Sequence, residues 1–99
     1  MRLRSRVDSN QALIVEALRA IGAGVLHLHQ IGHGVPDILV WYGDRYYLLE
    51  IKDGSRPASQ RKLTPDEAAW ISAWPGKVHV VETIGQALRA IGVKCQHAS

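Results

Sequence analysis

One stretch of the chain decides the fold: residues 36–52, which read PDILVWYGDRYYLLEIK. Two runs rich in β-branched and aromatic residues flank the dipeptide Gly43-Asp44. Such runs on either side of a two-residue turn signal predict a β-hairpin, and glycine at the first turn position favours a type II′ turn. A two-residue turn also sets the register of the hairpin. In that register Asp37 faces Glu50 at the open end.

The open end of the predicted hairpin carries three charged side chains on one face. Directly opposed residues point to the same side of a sheet, so Asp37 and Glu50 share a face, and Lys52, two residues after Glu50, shares it too. Two opposed carboxylates destabilise a sheet unless a proton or a cation lies between them, and Mg²⁺ binds through one or two carboxylates. The residues alone leave two interpretations open: a phosphodiester-cleaving metal site, or a solvent-facing hairpin end with an ordinary Glu50–Lys52 ion pair.

Helical and strand-like patterns continue on both sides of the hairpin. Thr64, Pro65 and Glu67 stand where a capping box and a first-turn proline open a helix, and this cap fully explains Glu67. The predicted elements are helices at about 8–21, 64–74 and 84–91 and strands at 25–31, 36–42, 45–52 and 77–82. Their order, α-β-β-β-α-β-α, predicts a single α/β domain with a mixed four-stranded sheet flanked by helices.

Length and composition are those of one globular domain. The 99 residues, 46% hydrophobic and 21% charged, exclude a disordered, collagen-like or coiled-coil protein. No apolar run approaches the ~18 residues of a membrane span, and a lone cysteine, Cys95, excludes a disulfide framework within the chain. The net charge of +3 favours a polyanionic partner. We expect a basic arm at 1–7, the folded domain at 8–92 and a tail at 93–99.

The charged end of the hairpin resembles a known signature. The Pro-Asp pair at 36–37 and the Glu-Ile-Lys run at 50–52 resemble the motif of the PD-(D/E)XK nuclease superfamily. Three stretches, GVPDILVW at 34–41, LLEIK at 48–52 and LTPDEAAW at 63–70, are similar to its VRR-NUC branch. The resemblance implies a restriction-endonuclease-like fold and a metal-dependent DNA endonuclease, selective for branched or junction DNA, in the cytoplasm of a bacterial cell or a phage-infected host.

The same resemblance implies a role for each matching residue. Asp37 and Glu50 hold Mg²⁺ or Mn²⁺ as ligands. The main-chain carbonyl of Ile51 adds a ligand, and Lys52 attends the attacking water. Family members also carry an acid on the first helix, and the slot counted back from the end of that helix falls near Gln11. We therefore include Gln11 among the catalytic residues. A site built on Gln11 has one charged ligand fewer than the family pattern.

Glu16 is the alternative acid on the first helix. At 100° per residue, however, it points roughly opposite to the apolar stripe of that helix. Gln11 lies beside the stripe and is better placed to approach the hairpin. We therefore expect Glu16 to face solvent and to take no part in catalysis.

Basic residues adjoin the predicted site. Arg56, Arg61 and Lys62 follow the hairpin in a polar loop, and His33 precedes it in a glycine-rich loop. We expect these four residues to contact DNA phosphates. No base-reading motif is present in the sequence, which favours recognition of DNA shape or backbone over base sequence.

We expect a homodimer, with no membrane association and no organic cofactor. Cutting two strands of a duplex or junction needs two active sites, and a chain of this size holds one. Trp70 and Trp74, one helical turn apart, are typical of a core or a subunit interface. Two alternatives stay open: a sequence-specific or nicking nuclease, and a nuclease-like module that binds nucleic acid or a protein without cutting.

Overall fold

The structure is a computed structural model that describes residues 10–94. The predicted basic arm at 1–7 and Cys95 lie outside the described residues. The elements in chain order are α1 (Gln11–Ala20), β1 (Gly24–His27), β2 (Ile38–Tyr42), β3 (Arg45–Ile51), a short 3₁₀ turn (Ala58–Gln60), α2 (Pro65–Ala73), β4 (Val78–Val81) and α3 (Ile84–Ala90). The predicted order α-β-β-β-α-β-α is confirmed.

The four strands form one mixed sheet in the order β1-β2-β3-β4. The pairs β1–β2 and β2–β3 are antiparallel, and β3–β4 is parallel. The hairpin register is the predicted one, with Trp41 opposite Tyr46. The predicted turn type is wrong: Gly43 and Asp44 have φ values of 59° and 63°, which make a type I′ turn. Aspartate tolerates the left-handed region, so both central residues adopt the turn that matches the twist of the strands.

Strand β1 ends at His27, well before the end of the strand predicted at 25–31. The main-chain N–H of Leu28 donates to the carbonyl of Asp37 at 2.8 Å, and that of Ile31 then donates to the carbonyl of Leu28 at 2.9 Å. A glycine loop at 32–34, in which all three residues have positive φ, follows this turn. Strand β2 runs antiparallel to β1, so the chain has to reverse between them. Residues 28–31, which were predicted to belong to the strand, form part of this reversal.

The hydrophobic core lies between one face of the sheet and the helices α1 and α3. Alternate side chains of β2 and β3 point into it, and full burial of a large aliphatic side chain stabilises the fold by about 1.5–3 kcal/mol. The core side chains are Ile14, Val15, Leu18, Ala23, Ile38, Val40, Leu49, Ile51, Val81, Ala87 and Ile91. The same alternation sends Leu39, Leu48 and Glu50 to the opposite, outer face.

Helix α2 lies over the outer face and leaves an apolar groove of about 450 Å³ against it. Trp70 and Trp74 line one side of the groove, with their rings stacked at 4.8 Å. Leu39, Tyr46 and Leu48 line the other side. Trp74 is 45% exposed and Tyr46 is 69% exposed, and no residue of α2 is buried. The helix therefore covers the outer face only in part.

Candidate functional site

A polar cavity of about 310 Å³ lies at the open end of the hairpin. Asp37 borders it just before β2, Glu50 near the end of β3, and Lys52 just after β3. The glycine loop at 32–34 and the first turn of α2 form the other walls. Five of the predicted site residues therefore border one cavity: His33, Asp37, Glu50, Ile51 and Lys52.

Asp37 is tied to the end of β3. Its Oδ2 accepts a hydrogen bond from the main-chain N–H of Ile51 at 2.7 Å. A hydrogen bond to an ionised carboxylate is short and about twice as strong as a neutral one. The side chain of Ile51 is buried in the core, and the residue also borders the cavity. The core therefore holds this wall of the cavity in place.

Glu50 is the deeply buried carboxyl group of the site, with 2% of the residue exposed. Its Oε2 lies 3.5 Å from Nζ of Lys52, and its Oε1 has no hydrogen-bond partner among the described residues. Burial, followed by the charges of Asp37 and Glu67, raises the pKa of Glu50 to about 9. Lys52 acts in the opposite direction. A buried polar atom without a partner costs roughly 1–3 kcal/mol, so this carboxyl group favours a bound proton or a cation.

Lys52 lies between two carboxyl groups. Its Nζ donates to Oε1 of Glu67 at 2.7 Å and lies 3.5 Å from Oε2 of Glu50. Burial by itself lowers the pKa of Lys52, but the hydrogen bond to Glu67 and the charges of Glu50 and Glu67 raise it above its usual value. The cavity therefore keeps the ammonium charged.

Glu67 belongs to this site, and the sequence-based interpretation that its helix cap fully explains it is wrong. The predicted capping box is present: Oε1 of Glu67 accepts the main-chain N–H of Thr64 at 2.9 Å, and Oγ1 of Thr64 accepts the N–H of Glu67 at 3.2 Å. The same Oε1 also binds Lys52. Burial tends to raise the pKa of Glu67, but the hydrogen bonds from Lys52 and Thr64 lower it overall. The only sequence signal at this position is the capping box, which is local and gave no sign of the contact with Lys52.

Gln11 does not border the cavity. The residue is 2% exposed, as its place on the buried stripe of α1 predicts, and Glu16 is exposed. Nε2 of Gln11 is 3.4 Å from Nδ1 of His27, and its Oε1 has no hydrogen-bond partner within residues 10–94. The structure therefore does not bring Gln11 into direct contact with the two carboxyl groups.

Asn10, the N-cap residue of α1, supports the cavity from the core side. Its Nδ2 donates to the carbonyl oxygens of Lys52 at 3.0 Å and Glu82 at 2.8 Å. The main-chain N–H of Lys52 donates to the carbonyl of Val81 at 2.9 Å. Two of these bonds hold the main chain of Lys52, and the third joins Asn10 to the carbonyl of Glu82. They join residues far apart in the chain, so no local pattern revealed them.

The predicted DNA-binding residues are divided between the cavity and the loop after β3, with His33 in the cavity wall and Arg56, Arg61 and Lys62 in the loop. Nε of Arg56 lies 3.7 Å from Oδ2 of Asp53. Nη1 of Arg61 lies 3.5 Å from Oε1 of Glu82. Arg56 and Arg61 are therefore already paired with acidic side chains of the protein, which weakens their electrostatic attraction for a phosphate.

The donor set suits a hard divalent cation that keeps several water ligands. No group of three or more His, Cys, Asp and Glu side chains in residues 10–94 is arranged to hold a metal ion. Asp37 and Glu50 provide two carboxylates, and the unpartnered buried Oε1 of Glu50 is an oxygen suited to a cation. Mg²⁺ is commonly held by one or two carboxylates together with water and phosphate oxygens. Asp37 and Glu50 therefore fit Mg²⁺ or Mn²⁺.

Comparisons of the chain with family models, with curated proteins and with solved structures find no significant match. Among the described residues, no helix has the length and apolar character needed to cross a membrane. The chemistry of the cavity therefore provides the main basis for a functional inference.

Proposed function

We propose that the protein is a divalent-metal-dependent DNA endonuclease of the PD-(D/E)XK superfamily, VRR-NUC branch, acting on branched or junction DNA. One observation carries this proposal: Asp37, Glu50 and Lys52 border one cavity, in which a buried oxygen of Glu50 has no hydrogen-bond partner. This set provides two acids for a cation and one fixed positive charge for a phosphate. The proposed location is the cytoplasm of a bacterial cell or a phage-infected host.

In the proposed reaction each residue has a separate task. Asp37, Glu50 and the main-chain carbonyl of Ile51 would hold Mg²⁺ or Mn²⁺, which would supply Lewis-acid activation at the phosphate. The ammonium of Lys52 orients the attacking water and stabilises the charge that builds on the phosphate oxygens. His33, Arg56, Arg61 and Lys62 contact the flanking phosphates.

A nuclease-like module that binds without cutting is the second candidate. Two observations favour it: Gln11 stands at the expected position of an acid, and Lys52 is bound at 2.7 Å by Glu67. A site with one acid fewer binds a cation more weakly. A lysine bound to a carboxylate also has fewer protons available for a phosphate.

Cleavage of a labelled substrate panel distinguishes the two candidates. The panel contains linear duplex, nicked duplex, flap and four-way junction DNA, each with Mg²⁺, Mn²⁺ or EDTA. We expect cleavage of the branched substrates with either metal and none in EDTA. Asp37→Ala should reduce the rate at least 100-fold with the fold retained by circular dichroism. The exposed acid Glu16 provides the matched control, and Glu16→Gln should cut at the parent rate.

Two outcomes would contradict the nuclease assignment. The first is cleavage by Asp37→Ala at the rate of the parent protein in matched Mg²⁺. The second is binding of the labelled DNA without cleavage in both metals, which would favour the non-cutting module.

A further inference from the structure

Lys52 is a flexible side chain that the cavity holds in one place. Ordering a lysine side chain costs roughly 1.5–2 kcal/mol of rotamer entropy. Glu50 holds it only weakly, because 3.5 Å exceeds the ~2.7–2.9 Å of a strong charge-assisted hydrogen bond. Glu67, at 2.7 Å, lies within that range. The contact with Glu67 therefore determines where the ammonium lies.

Glu67 is itself held by two neighbouring segments. Its Oε1 also accepts the main-chain N–H of Thr64, so the carboxylate cannot rotate away without losing the helix cap. The first turn of α2 is packed directly on the glycine loop. A Cβ atom at Gly34 would overlap the main chain of Asp66 and Glu67. The position of the Glu67 carboxylate therefore depends on the packing of α2 on the loop.

We propose that Glu67 is a positioning residue for Lys52: it orients the ammonium toward the cavity by holding one of its protons. The other two protons stay available for the attacking water or the scissile phosphate. This role in catalysis rests on the proposed nuclease function. The contact between Lys52 and Glu67 does not depend on that function, and it can be measured in the metal-free protein.

Three variants separate positioning from helix capping. Glu67→Ala removes the acceptor, whereas Glu67→Gln keeps an oxygen that accepts from both Lys52 and Thr64. Thr64→Ala is the matched control, because it removes the hydroxyl of the same cap and leaves Glu67 intact. We expect Glu67→Ala to lower the single-turnover rate at saturating DNA about 10- to 100-fold, the usual effect of removing a partner that orients a site residue. Glu67→Gln and Thr64→Ala should stay within about threefold of the parent rate.

DNA affinity provides the complementary measurement. Binding in Ca²⁺, which should support binding but not chemistry, should change less than about threefold in Glu67→Ala. A loss confined to affinity, or a rate in Glu67→Ala above that of the parent protein, would overturn the positioning role. The second result would mean that Glu67 restrains Lys52.

Lysine ammonium signals in ¹H–¹⁵N NMR spectra test the contact without DNA or metal. A hydrogen-bonded, protected ammonium exchanges its protons slowly, so Lys52 should give a signal that Lys52→Arg removes. That signal should disappear in Glu67→Ala and persist in Glu67→Gln, whereas the exposed Lys62, Lys77 and Lys94 should give no comparable signal in any form. An unchanged signal in Glu67→Ala would refute the positioning contact. The expected signals together with no cleavage by any form would refute the nuclease function alone.

Discussion

The carboxyl groups of Asp37, Glu50 and Glu67 border the cavity at the end of the hairpin, and the last two contact the ammonium of Lys52. The charges of Asp37 and Glu67 raise the pKa of Glu50, and the charge of Lys52 offsets only part of this effect. Glu50 is the most buried of the three carboxyl groups, and burial is the largest cause of its raised pKa. At the scale of single residues, the site is therefore arranged for ligand binding at the expense of stability.

Replacing Glu50 should stabilise the metal-free protein in a pH-dependent way. Its pKa is about 9 in the folded protein and near 4.5 without the cavity, so only the unfolded chain ionises between these values. Folding stability should therefore fall as pH rises from 4.5 to 9 and level off above that. Glu50→Gln keeps the shape and removes this effect. In EDTA at pH 8 we expect it to raise the free energy of unfolding by at least about 1 kcal/mol.

Urea denaturation at pH 4.5, 6 and 8 checks this expectation. The difference in the free energy of unfolding between Glu50→Gln and the parent protein should become smaller toward pH 4.5. The neighbouring groups Asp37, Lys52 and Glu67 remain in both proteins, so their titration largely cancels. A difference that stays constant with pH would show that Glu50 is ionised in the folded protein.

Gln11 and Glu16 should differ in their effect on the site. Gln11 is buried in α1 with its Nε2 near His27, whereas Glu16 faces solvent. We expect Gln11→Ala to destabilise the fold by about 1–3 kcal/mol and to reduce cleavage more than Glu16→Gln does. Thermal unfolding and cleavage rates measure the two effects. If Glu16→Gln lost cleavage and Gln11→Ala did not, the result would contradict the orientation of α1, in which Gln11 is buried and Glu16 faces solvent.

At the scale of elements, the packing of α2 on the glycine loop determines the shape of the cavity. The helix has no buried residue of its own, so its apolar contacts hold it only weakly. Its first turn is located instead by the capping box and by the close approach of Gly34 to the main chain of Asp66. Glu67 and its bond to Lys52 depend on that approach.

Gly34→Ala should therefore disturb the site much more than Gly32→Ala. Both glycines have positive φ, 84° and 74°, so both substitutions carry a similar backbone strain of about 1 kcal/mol. Only at Gly34 does an added Cβ overlap another segment, since nothing lies within 4 Å of one at Gly32. We expect a fall in melting temperature of roughly 4–8 °C for Gly32→Ala and a larger one for Gly34→Ala.

The Lys52 ammonium signal provides a second comparison between these glycine variants. It should be lost in Gly34→Ala and retained in Gly32→Ala. Equal melting temperatures and equal signals would mean that α2 moves away from the loop at little cost.

At the scale of the whole molecule, the two faces of the sheet are covered unequally. Helices α1 and α3 seal one face, whereas α2 leaves an apolar groove open on the other. Trp74 and Tyr46 lie at this groove and are largely exposed. Exposed aromatic residues of this kind are typical of interface centres. This groove is the surface on which we expect the proposed second copy of the chain to pack.

Light scattering with size-exclusion chromatography tests the proposed homodimer. We expect the parent protein to elute with the mass of two chains, and Tyr46→Glu combined with Trp74→Glu to elute as a folded monomer. Leu13→Glu, on the opposite layer and also exposed, is the matched control and should stay dimeric. A parent protein that is monomeric at all concentrations, or a control that dissociates equally, would contradict this interface.

Local physics made several features readable from the sequence. The turn at Gly43-Asp44 determined the hairpin register, and with it the shared face of Asp37 and Glu50. Thr64 and Glu67 determined the start of α2. Each of these features depends on groups only a few residues apart, or on strands joined by a short turn. A local sequence pattern therefore predicts it.

Tertiary structure decided the rest of the site. The end of β1 depends on where the chain must reverse to pair with β2. The contact between Lys52 and Glu67 depends on how α2 packs on the glycine loop. Asn10 reaches Lys52 and Glu82 across 42 and 72 residues of chain. No local pattern carries such contacts, because they form only when separate elements pack against a common core.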